Sequence, residues 1–597
     1  MSLLPALLTI LGVGFMIFIH EAGHYMAARA AGVRVLVFSL GFGPRVFGFV
    51  RNGTDYRLSL VPVGGFVMVA GADDFERRRL HRDDLNAKSF GARMLYYSGG
   101  VIMNLLFALI AFPIVFQYGV PFTAPVIGNV TPGGTAWHAD LRTGDRVLSM
   151  NGKPVHAFEN LRVEVALAGA RPVEFEIQRG GELIHKSVRS EYDTVEGLRR
   201  IGVEPAVEDA PPEIVVRDGT PAHAAGLRTG DRVRSVDGRG AGGDNIESLL
   251  GGIAHRSVGA ALQVEIVRGD SPPQTITFTP APQPGAPRIG VAPIRAKVRA
   301  VRHDFAPVVA LGLRAGDEIE SIDGRAFQAE DLGPWHSGPA ELRMRVRRGI
   351  PAQSVDLRAT MTADERAALP EHVALGADSA FVVVRPGDPA ALAGMRDGDL
   401  VTRVGGTPVQ SWTDLVTAVR ASKDSTLSCV VSRGDGNVSL QIETAATLDP
   451  GFSARVPYLR QTYSVDGVSA AIGAGFGCSV DLIKQLYVTI KEMVIGDVSA
   501  RNLGGIIQIS RASYANAEWG FARFIYFLAM FSINLAFINV LPIPVLDGGH
   551  MLFLLIERIK GSPVSARMHG YSLTLGLVFV VGLLVFVMYN DISRWIS

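Results

Sequence analysis

Leu3-Leu-Pro-Ala-Leu-Leu-Thr-Ile-Leu-Gly-Val-Gly-Phe-Met-Ile-Phe-Ile19, a run without a charged side chain, leads directly into His20-Glu-Ala-Gly-His24. A helix needs about 20 apolar residues to cross roughly 30 Å of hydrocarbon, so this run predicts a membrane-spanning helix that ends in a polar cluster. Three further uncharged runs of similar length follow: Met94 to Val120, Phe524 to Leu546 and Tyr571 to Tyr589. The sequence therefore predicts four membrane-spanning helices.

The bulk composition excludes several classes of protein. The 597 residues exceed one domain, and the net charge of +1 gives no electrostatic footprint for nucleic acid. Two cysteines, Cys429 and Cys478, are too few for a disulfide-built scaffold or a cysteine-rich metal site. No Lys or Arg precedes Arg29, so the first apolar run lacks the positive region of a secretory signal and is expected to be retained.

Basic residues predict the orientation in the membrane. They are concentrated in the loop after the first span and in the loop between spans three and four. These residues are Arg29, Arg34, Arg45, Arg51, Arg57, Arg77, Arg78, Arg79, Arg82, Lys88 and Arg93 in the first loop, and Arg558, Lys560 and Arg567 in the second. Because basic loops stay in the cytoplasm, the long insert between spans two and three is expected on the opposite, periplasmic side of a bacterial inner membrane.

The insert from about Pro121 to Pro450 repeats itself. One short pattern recurs as Leu141-Arg-Thr-Gly-Asp-Arg-Val147, Leu227-Arg-Thr-Gly-Asp-Arg-Val233, Leu313-Arg-Ala-Gly-Asp-Glu-Ile319 and Met395-Arg-Asp-Gly-Asp-Leu-Val401. Each copy continues into an alternating strand and a turn, and these features resemble PDZ domains of the kind associated with bacterial proteases. Four PDZ-like copies are expected, as ligand-binding units or as spacers.

Three short segments resemble the PDZ loop that receives a chain end or a strand: Ile201-Gly-Val203, Ile289-Gly-Val291 and Leu375-Gly-Ala377. Each is assigned to the copy that follows it in sequence. Beyond the last copy, apolar residues from Leu482 to Val494 recur at helical spacing with charged residues on the other face. This pattern fits a helix on the membrane surface or one packed on the PDZ-like copies.

His20-Glu-Ala-Gly-His24 has the spacing of a zinc hydrolase. Two histidines four residues apart share one helix face, and the adjacent Glu21 can reach a metal-bound water. A carboxylate next to a membrane span costs about 2.5 to 3.5 kcal/mol unless it is compensated, and a bound cation compensates it. The alternative is a group of polar residues that merely lies at the membrane surface.

A second acidic residue, Asp547, ends the third apolar run. Pro542 and Pro544 must interrupt helical hydrogen bonding there, which a membrane tolerates only inside protein or beside a wet cavity. A catalytic zinc site usually has three protein ligands, and Asp547 would complete the set begun by His20 and His24. The spacing of residues in the sequence cannot by itself show that Asp547 lies near His20 and His24.

These motifs together resemble the site-2 protease family in its RseP-type bacterial branch. The resemblance rests on His20-Glu-Ala-Gly-His24, Pro62-Val-Gly-Gly-Phe66, the PDZ-like insert and the segment from Asn534 to Gly549. It implies Zn²⁺ bound by His20, His24 and Asp547, Glu21 as general base and acid, and Asn539 and Asn534 as residues that hold the substrate backbone. Four PDZ-like copies depart from the usual two.

The expected fold is therefore a multidomain membrane protein with a four-helix protease core, a membrane-associated β-sheet and four tandem PDZ-like α/β domains. The sheet is predicted from four short strands, Val33 to Leu40, Val46 to Val50, Tyr56 to Val61 and Gly65 to Val69, with an ordinary cytoplasmic hairpin as the alternative. The expected domains are 1–93 (first span and β region), 94–120 (second span), 121–197, 198–286, 287–373 and 374–448 (PDZ-like copies), 449–520 (amphipathic segment) and 521–597 (last two spans).

The resemblance implies an intramembrane zinc endopeptidase that acts on single-pass membrane proteins in regulated intramembrane proteolysis. An anti-sigma factor or a leftover signal peptide is the expected kind of substrate, with the lipid bilayer as surroundings and the active site toward the cytoplasm. A membrane-anchored PDZ scaffold with a structural or vestigial zinc site is the main alternative. A metal transporter is disfavoured because spans two and four carry almost no polar residues.

Overall fold

The computed structural model describes residues 3–72, 81–194, 196–243, 245–254, 259–293, 297–327, 338–349, 353–376, 380–384, 387–422, 425–433 and 436–596. Arg77 to Arg79 of the basic loop and Ala377 of the third predicted PDZ loop lie outside these ranges. The helices are α1 (Leu3–Ala30), α2 (Phe90–Tyr118), α3 (Thr135–His138), α4 (Phe158–Leu167), α5 (Pro221–Ala224), α6 (Ile246–Ala254), α7 (Ala306–Leu311), α8 (Ala363–His372), α9 (Pro389–Leu392), α10 (Trp412–Ala421), α11 (Val468–Ile495), α12 (Ile506–Glu518), α13 (Phe521–Val540), α14 (Asp547–Lys560) and α15 (Ala566–Ile596).

Long apolar helices form the membrane part. Within the described ranges, three segments are long and apolar enough to cross a bilayer: Phe90–Tyr118, Phe521–Val540 and Arg567–Ser593. The predicted first span, Leu3 to Ile19, forms the first part of α1, a helix of 28 residues. The third apolar run is interrupted as expected, since α13 ends at Val540 and α14 begins at Asp547. The helical membrane architecture is confirmed, while the count of four spans stays a prediction.

The strands outside the repeats are β1 (Val35–Arg51), β2 (Thr54–Val69), β3 (Val120–Thr123), β17 (Ala281–Arg288), β30 (Ala445–Asp449) and β32 (Arg460–Tyr463). The strands of the repeats are β4 (Ile127–Val130), β5 (Arg146–Met150), β6 (Lys153–Pro154), β7 (Val173–Arg179), β8 (Glu182–Val188), β9 (Glu191–Asp193), β10 (Leu198–Arg200), β11 (Val203–Pro205), β12 (Glu213–Val216), β13 (Arg232–Val236), β14 (Arg239–Gly240), β15 (Leu262–Val267), β16 (Gln274–Phe278), β18 (Val291–Pro293), β19 (Lys297–Val301), β20 (Glu318–Ile322), β21 (Arg325–Ala326), β22 (Glu341–Arg348), β23 (Gln353–Thr360), β24 (Val373–Gly376), β25 (Val382–Val384), β26 (Leu400–Val404), β27 (Thr407–Pro408), β28 (Thr426–Arg433), β29 (Gly436–Glu443) and β31 (Phe452–Arg455).

The β region that follows α1 consists of β1 and β2, two long bent strands in place of the four short ones predicted. Glycines at positive φ, among them Gly41, Gly43 and Gly64, allow each strand to bend without ending. The pairing register nevertheless gives four segments side by side, in the order 65–69, 35–40, 54–59 and 45–51. The predicted four-segment sheet is therefore present, formed by two continuous strands.

Four hydrophobic cores organise the insert, and we call the corresponding parts of the chain units 1 to 4. The cores contain Phe175 in unit 1, Val264 in unit 2, Met344 in unit 3 and Val431 in unit 4. Every unit contains the repeated Gly-Asp turn followed by a strand of its sheet. The PDZ-like, β-rich character predicted for this region is thus present.

The Gly-Asp repeat serves the same structural purpose in all four units. In unit 2, buried Asp231 accepts hydrogen bonds from the backbone N–H of Arg228 at 2.8 Å and from Arg268 Nε at 2.6 Å. Arg268 also donates to the carbonyl of Gly226, so the turn is tied to the end of β15. The equivalent ion pairs are Asp145 with Arg179, Asp317 with Arg348 and Asp399 with Arg433.

Strand pairing contradicts the assignment of each predicted loop to the copy that follows it. Ile201 belongs to the core of unit 1, where β11 pairs with β4. Ile289 belongs to the core of unit 4, and Leu375 packs on unit 3. The loops resemble one another in sequence, so only long-range strand pairing distinguishes their partners.

The pairings also show that the units are nested. Unit 2 is completed by β31, which pairs with β12 after units 3 and 4 have intervened. Unit 4 is completed by β18, which pairs with β25 across the whole of unit 3. The strand pairing therefore crosses the predicted boundaries 198–286, 287–373 and 374–448.

Arg302 joins unit 3 to unit 1. This almost fully buried guanidinium lies 4.5 Å from the Trp137 ring, donates to the Trp137 carbonyl and pairs with Asp140 at 3.2 Å. Asp140 has a positive φ of 59°. The residues at the matching position of the other units also have positive φ, and they are glycines: Gly226, Gly312 and Gly394. A non-glycine residue in this conformation is uncommon, and here its carboxylate holds the junction.

The charge of Asp140 is stabilised by several cations. Burial raises the pKa of Asp140, but hydrogen bonds from Arg142, Lys186 and Arg179 outweigh burial and hold the pKa well below its usual range. An aspartate with a lowered pKa contributes its stabilisation fully above its ordinary pKa of about 3.9 and loses it as the pH falls further. The junction should therefore be insensitive to pH across the neutral range.

Replacing Asp231 by Ala should loosen unit 2. The substitution leaves Arg268 and the N–H of Arg228 without their carboxylate, and hydrogen bonds to charged groups contribute about 1.5 to 3 kcal/mol each. Hydrogen exchange of the full chain should become at least tenfold faster in β13 and β15. Arg234→Ala, which removes a half-exposed side chain from β13, is the control and should leave exchange unchanged.

Replacing Arg302 by Ala should separate units 1 and 3. Spin labels at the exposed positions Glu182 and Arg358 should give one narrow distance distribution in the parent protein and a broad one in the variant. The parent distribution should broaden only below about pH 4, since the Asp140 carboxylate must be protonated first. Arg343→Ala, at an exposed ion pair of unit 3, should keep the narrow distribution; equal broadening there would contradict a specific junction.

Candidate metal centre

His20, His24 and Asp547 converge inside the helical part. The Nε2 atoms of the two histidines lie 3.3 Å apart, and Asp547 Oδ2 lies 3.4 Å from His20 Nε2 and 3.3 Å from His24 Nε2. The histidines follow one face of α1, while Asp547 is the first residue of α14. The structure thus brings together the three residues that sequence reasoning nominated as ligands.

The donor set fits a zinc ion. Two imidazole nitrogens and one carboxylate oxygen lie within 4.8 Å of one another. Within the described residues, buried Asp547 Oδ2 has no hydrogen-bond partner, as expected of an oxygen whose natural partner is a cation. Two histidines and one carboxylate are a known ligand set of catalytic zinc, with a further position left for water.

Helix α2 supports both imidazoles from behind. His24 Nδ1 donates to the carbonyl of Tyr96 at 2.8 Å, which leaves His24 Nε2 free to bind a metal. His20 Nδ1 faces the amide of Asn104 at 3.1 Å. Sequence reasoning missed both contacts, because they join segments distant in the chain and Asn104 lies alone in an apolar run.

Glycines allow α1 and α2 to approach this closely. A Cβ at Gly23 would overlap the carbonyl of Gly99. A Cβ at Gly100 would lie 2.5 Å from His20 Cε1 and 2.6 Å from His24 Nε2. Small residues are the usual means of close helix packing in membranes, and here they bring the imidazoles against α2.

Glu21 lies between the histidines and the β region. Its side chain is buried, and a Cβ at Gly65 would lie 2.8 Å from Glu21 Cγ. It is close enough to interact electrostatically with His20, His24 and Asp547. Glu21 therefore faces the centre of the site from the side of segment 65–69.

The two predicted asparagines differ in position. Asn539, in the last turn of α13, places its Nδ2 3.3 Å from His20 Nε2 and so belongs to the centre. Asn534 is half-buried on the same helix, and the described residues give it no hydrogen bond to His20, His24 or Asp547. Of the two predicted asparagines, Asn539 is thus the one adjacent to the candidate ligands.

The position of Asp547 depends on both ends of α14. At its start, Gly548 and Gly549 pack so tightly on the carbonyls of Val540 and Ile543 that a Cβ would not fit. Near its end, Glu557 accepts hydrogen bonds from both terminal nitrogens of Arg93, at 2.9 and 3.0 Å. This bidentate ion pair anchors α14 to the start of α2.

An HExxH helix, a carboxylate from a distant helix and membrane-length apolar helices together define a metalloprotease of the membrane. The family model of peptidase family M50 matches residues 8–583, and the chain belongs to that family. The similarity to site-2 proteases of the RseP type, expected from the sequence, is thereby confirmed, as is metalloprotease activity.

Curated relatives cover nearly the whole chain. Protease RseP of Yersinia pestis is 25% identical over 98% of this chain and 97% of its own length. The regulator of sigma-E protease RseP of Escherichia coli K12 is 24% identical with the same coverage, as is a putative zinc metalloprotease of Vibrio cholerae. Among solved structures, a PDZ domain protein from Parabacteroides distasonis covers 58% of this chain and 96% of its own, at 10% identity and a TM-score of 0.11.

Replacing Gly100 by Ala should weaken metal binding. The added methyl group would lie against His20 and His24, and disturbing groups that orient metal ligands typically costs about 10- to 100-fold in metal affinity. The dissociation constant for zinc, measured by competition with a chelator, should rise accordingly. Gly14→Ala, on the same pair of helices but with no atom within 4 Å of the new Cβ, should bind zinc normally.

Proposed function

We propose that this protein hydrolyses a peptide bond in the membrane-spanning segment of a single-pass membrane protein. The observation that carries the proposal is the convergence of His20 and His24 of α1 with Asp547 of α14, beside buried Glu21. Four charged or ionisable groups in the interior of a membrane protein are costly unless they serve a cation and a reaction.

Zn²⁺ is the proposed metal, held by His20, His24 and Asp547; when bound, it lowers the pKa of water and polarises the peptide carbonyl. Glu21 accepts the proton that the water gives up as its oxygen forms a bond to the carbonyl carbon. Glu21 then delivers this proton to the amide nitrogen as the C–N bond breaks. Asn539 is placed to hold the substrate backbone, and Asn534 would do so further along α13.

The β region supplies a surface for the substrate. A membrane helix must unwind before it is cut, and its freed N–H and C=O groups then need partners. Segment 65–69 is an edge of the sheet within the described part of the chain, and it lies next to Glu21 at Gly65. An unwound substrate that adds to this edge would bring its peptide bonds to the centre.

A substrate whose outer domain has already been trimmed fits this architecture. Relatives are named as regulators of sigma-E, which favours an anti-sigma factor, with leftover signal peptides as a further substrate class. We assign all four units as PDZ domains that exclude bulky substrates or bind new chain ends. Four spans, a periplasmic insert and an active site toward the cytoplasm complete the proposal for an inner-membrane protein.

The alternative of a PDZ scaffold with a structural zinc site is less well supported. A closed structural site normally uses four protein ligands and needs no acid or base beside it. Here three candidate ligands converge, and Glu21 is buried next to them. The arrangement favours catalysis.

The decisive experiment combines metal content and cleavage in the full chain. Wild type and Glu21→Gln should each hold one zinc per chain, His24→Ala should lose it, and only wild type should cut a tagged single-pass membrane substrate. His138→Ala, at an exposed histidine outside the membrane part, is the control and should behave as wild type. Cleavage by Glu21→Gln, or wild type without metal, would refute the mechanism and favour the scaffold.

A further inference from the structure

Asn104 is a polar side chain fully buried in a membrane-length helix. It lies in α2 one turn beyond Gly100, and its Nδ2 is 3.1 Å from His20 Nδ1. Within the described residues, Asn104 Oδ1 is buried without a hydrogen-bond partner. Such an oxygen normally has a donor, so its lack of one in the interior calls for a physical reason.

The tautomer of His20, meaning which ring nitrogen carries the proton, supplies that reason. Its Nε2 is the atom that faces His24 and Asp547, so this nitrogen must keep its lone pair to bind a metal. The ring proton then resides on Nδ1, which becomes a donor. A donor on His20 Nδ1 requires the oxygen of Asn104, which a half-turn of the amide brings to it in place of the nitrogen.

We infer that Asn104 is a positioning residue that accepts a hydrogen bond from His20 Nδ1–H. It thereby fixes the tautomer and the ring orientation of His20, with Nε2 toward the metal. This inference rests on the proposed zinc centre and adds to it the group that orients its first ligand.

The arrangement around His24 supports the inference independently. The Tyr96 carbonyl of α2 accepts a hydrogen bond from His24 Nδ1. His24 therefore has, at the same ring nitrogen, an acceptor equivalent to the one that Asn104 provides for His20. Tyr96 and Asn104 lie about two helical turns apart on α2, and the two histidines lie about one turn apart on α1. One helix therefore supplies an acceptor behind each imidazole, and metal-binding histidines commonly donate their other ring N–H to such a group.

Asn104 is itself held in place. Ser532 of α13 donates to the Asn104 backbone carbonyl at 2.9 Å, and both residues are fully buried. The backbone contact joins α2 to α13 and leaves the amide free for His20. A packing role and a positioning role of Asn104 can therefore be separated by substitution.

The test compares two substitutions of similar size in the full chain. Asn104→Leu removes the acceptor and should weaken zinc binding about 10- to 100-fold in chelator competition, the loss typical of such outer groups. Asn104→Asp keeps an acceptor oxygen and should bind zinc within about threefold of wild type. Ser532→Ala, which removes only the helix contact, should retain wild-type affinity.

Asn104→Ala is a second variant without an acceptor, used if the leucine variant does not fold. Wild-type zinc affinity in a folded acceptor-less variant would overturn the inference, and so would an equal loss in Asn104→Asp and Asn104→Leu. His24→Ala separates this result from failure of the proposed function. If wild type binds zinc and His24→Ala does not, the metal centre stands and only the role of Asn104 is decided; a wild type without zinc ends both.

Discussion

The close approach of α1 and α2 is the constraint on which the site depends. Gly23, Gly99 and Gly100 remove the side chains that would separate the two helices. The Tyr96 carbonyl and the Asn104 side-chain amide of α2 then reach the far nitrogens of His24 and His20. With both rings fixed from behind, their near nitrogens and Asp547 face one point. Burying a polar group in an apolar interior costs free energy unless the group has a partner. The contacts that orient the two imidazoles therefore also satisfy their buried nitrogens.

Local sequence patterns predicted the parts of this site that depend on one element. His20 and His24 share a helix face because of their spacing, and two prolines ended the third apolar run before Asp547. The contact between Asp547 and the histidines could be argued only from the need to neutralise charge. Asn104 gave no signal, because an isolated asparagine in an apolar helix equally suits a bond between helices.

In the insert, too, sequence patterns predicted local features but not the contacts between distant segments. The Gly-Asp turn and the strand after it were predictable because they are local. The arginine that binds the buried carboxylate was not, since Arg268 lies 37 residues beyond Asp231. The partner of each Ile-Gly-Val segment was not, since β-strand pairing carries no local code for distance along the chain. Similar segments in successive copies made the following copy the natural assignment. Ile201 and Leu375 instead belong to the units that precede them, and nesting places Ile289 in unit 4.

Nesting has a mechanical consequence for the array. Strands β3 and β32 pair next to the C-terminal end of α2, so the insert leaves and rejoins the membrane part through one two-stranded stem. A second stem, β17 with β30, joins unit 2 to unit 4, and unit 3 lies beyond. The ion pair between Arg302 of unit 3 and Asp140 of unit 1 connects these two units, so that the four units form a closed ring. Paired stems resist bending more than single linkers do, so the small Arg302 junction is where the ring can open without unfolding any unit.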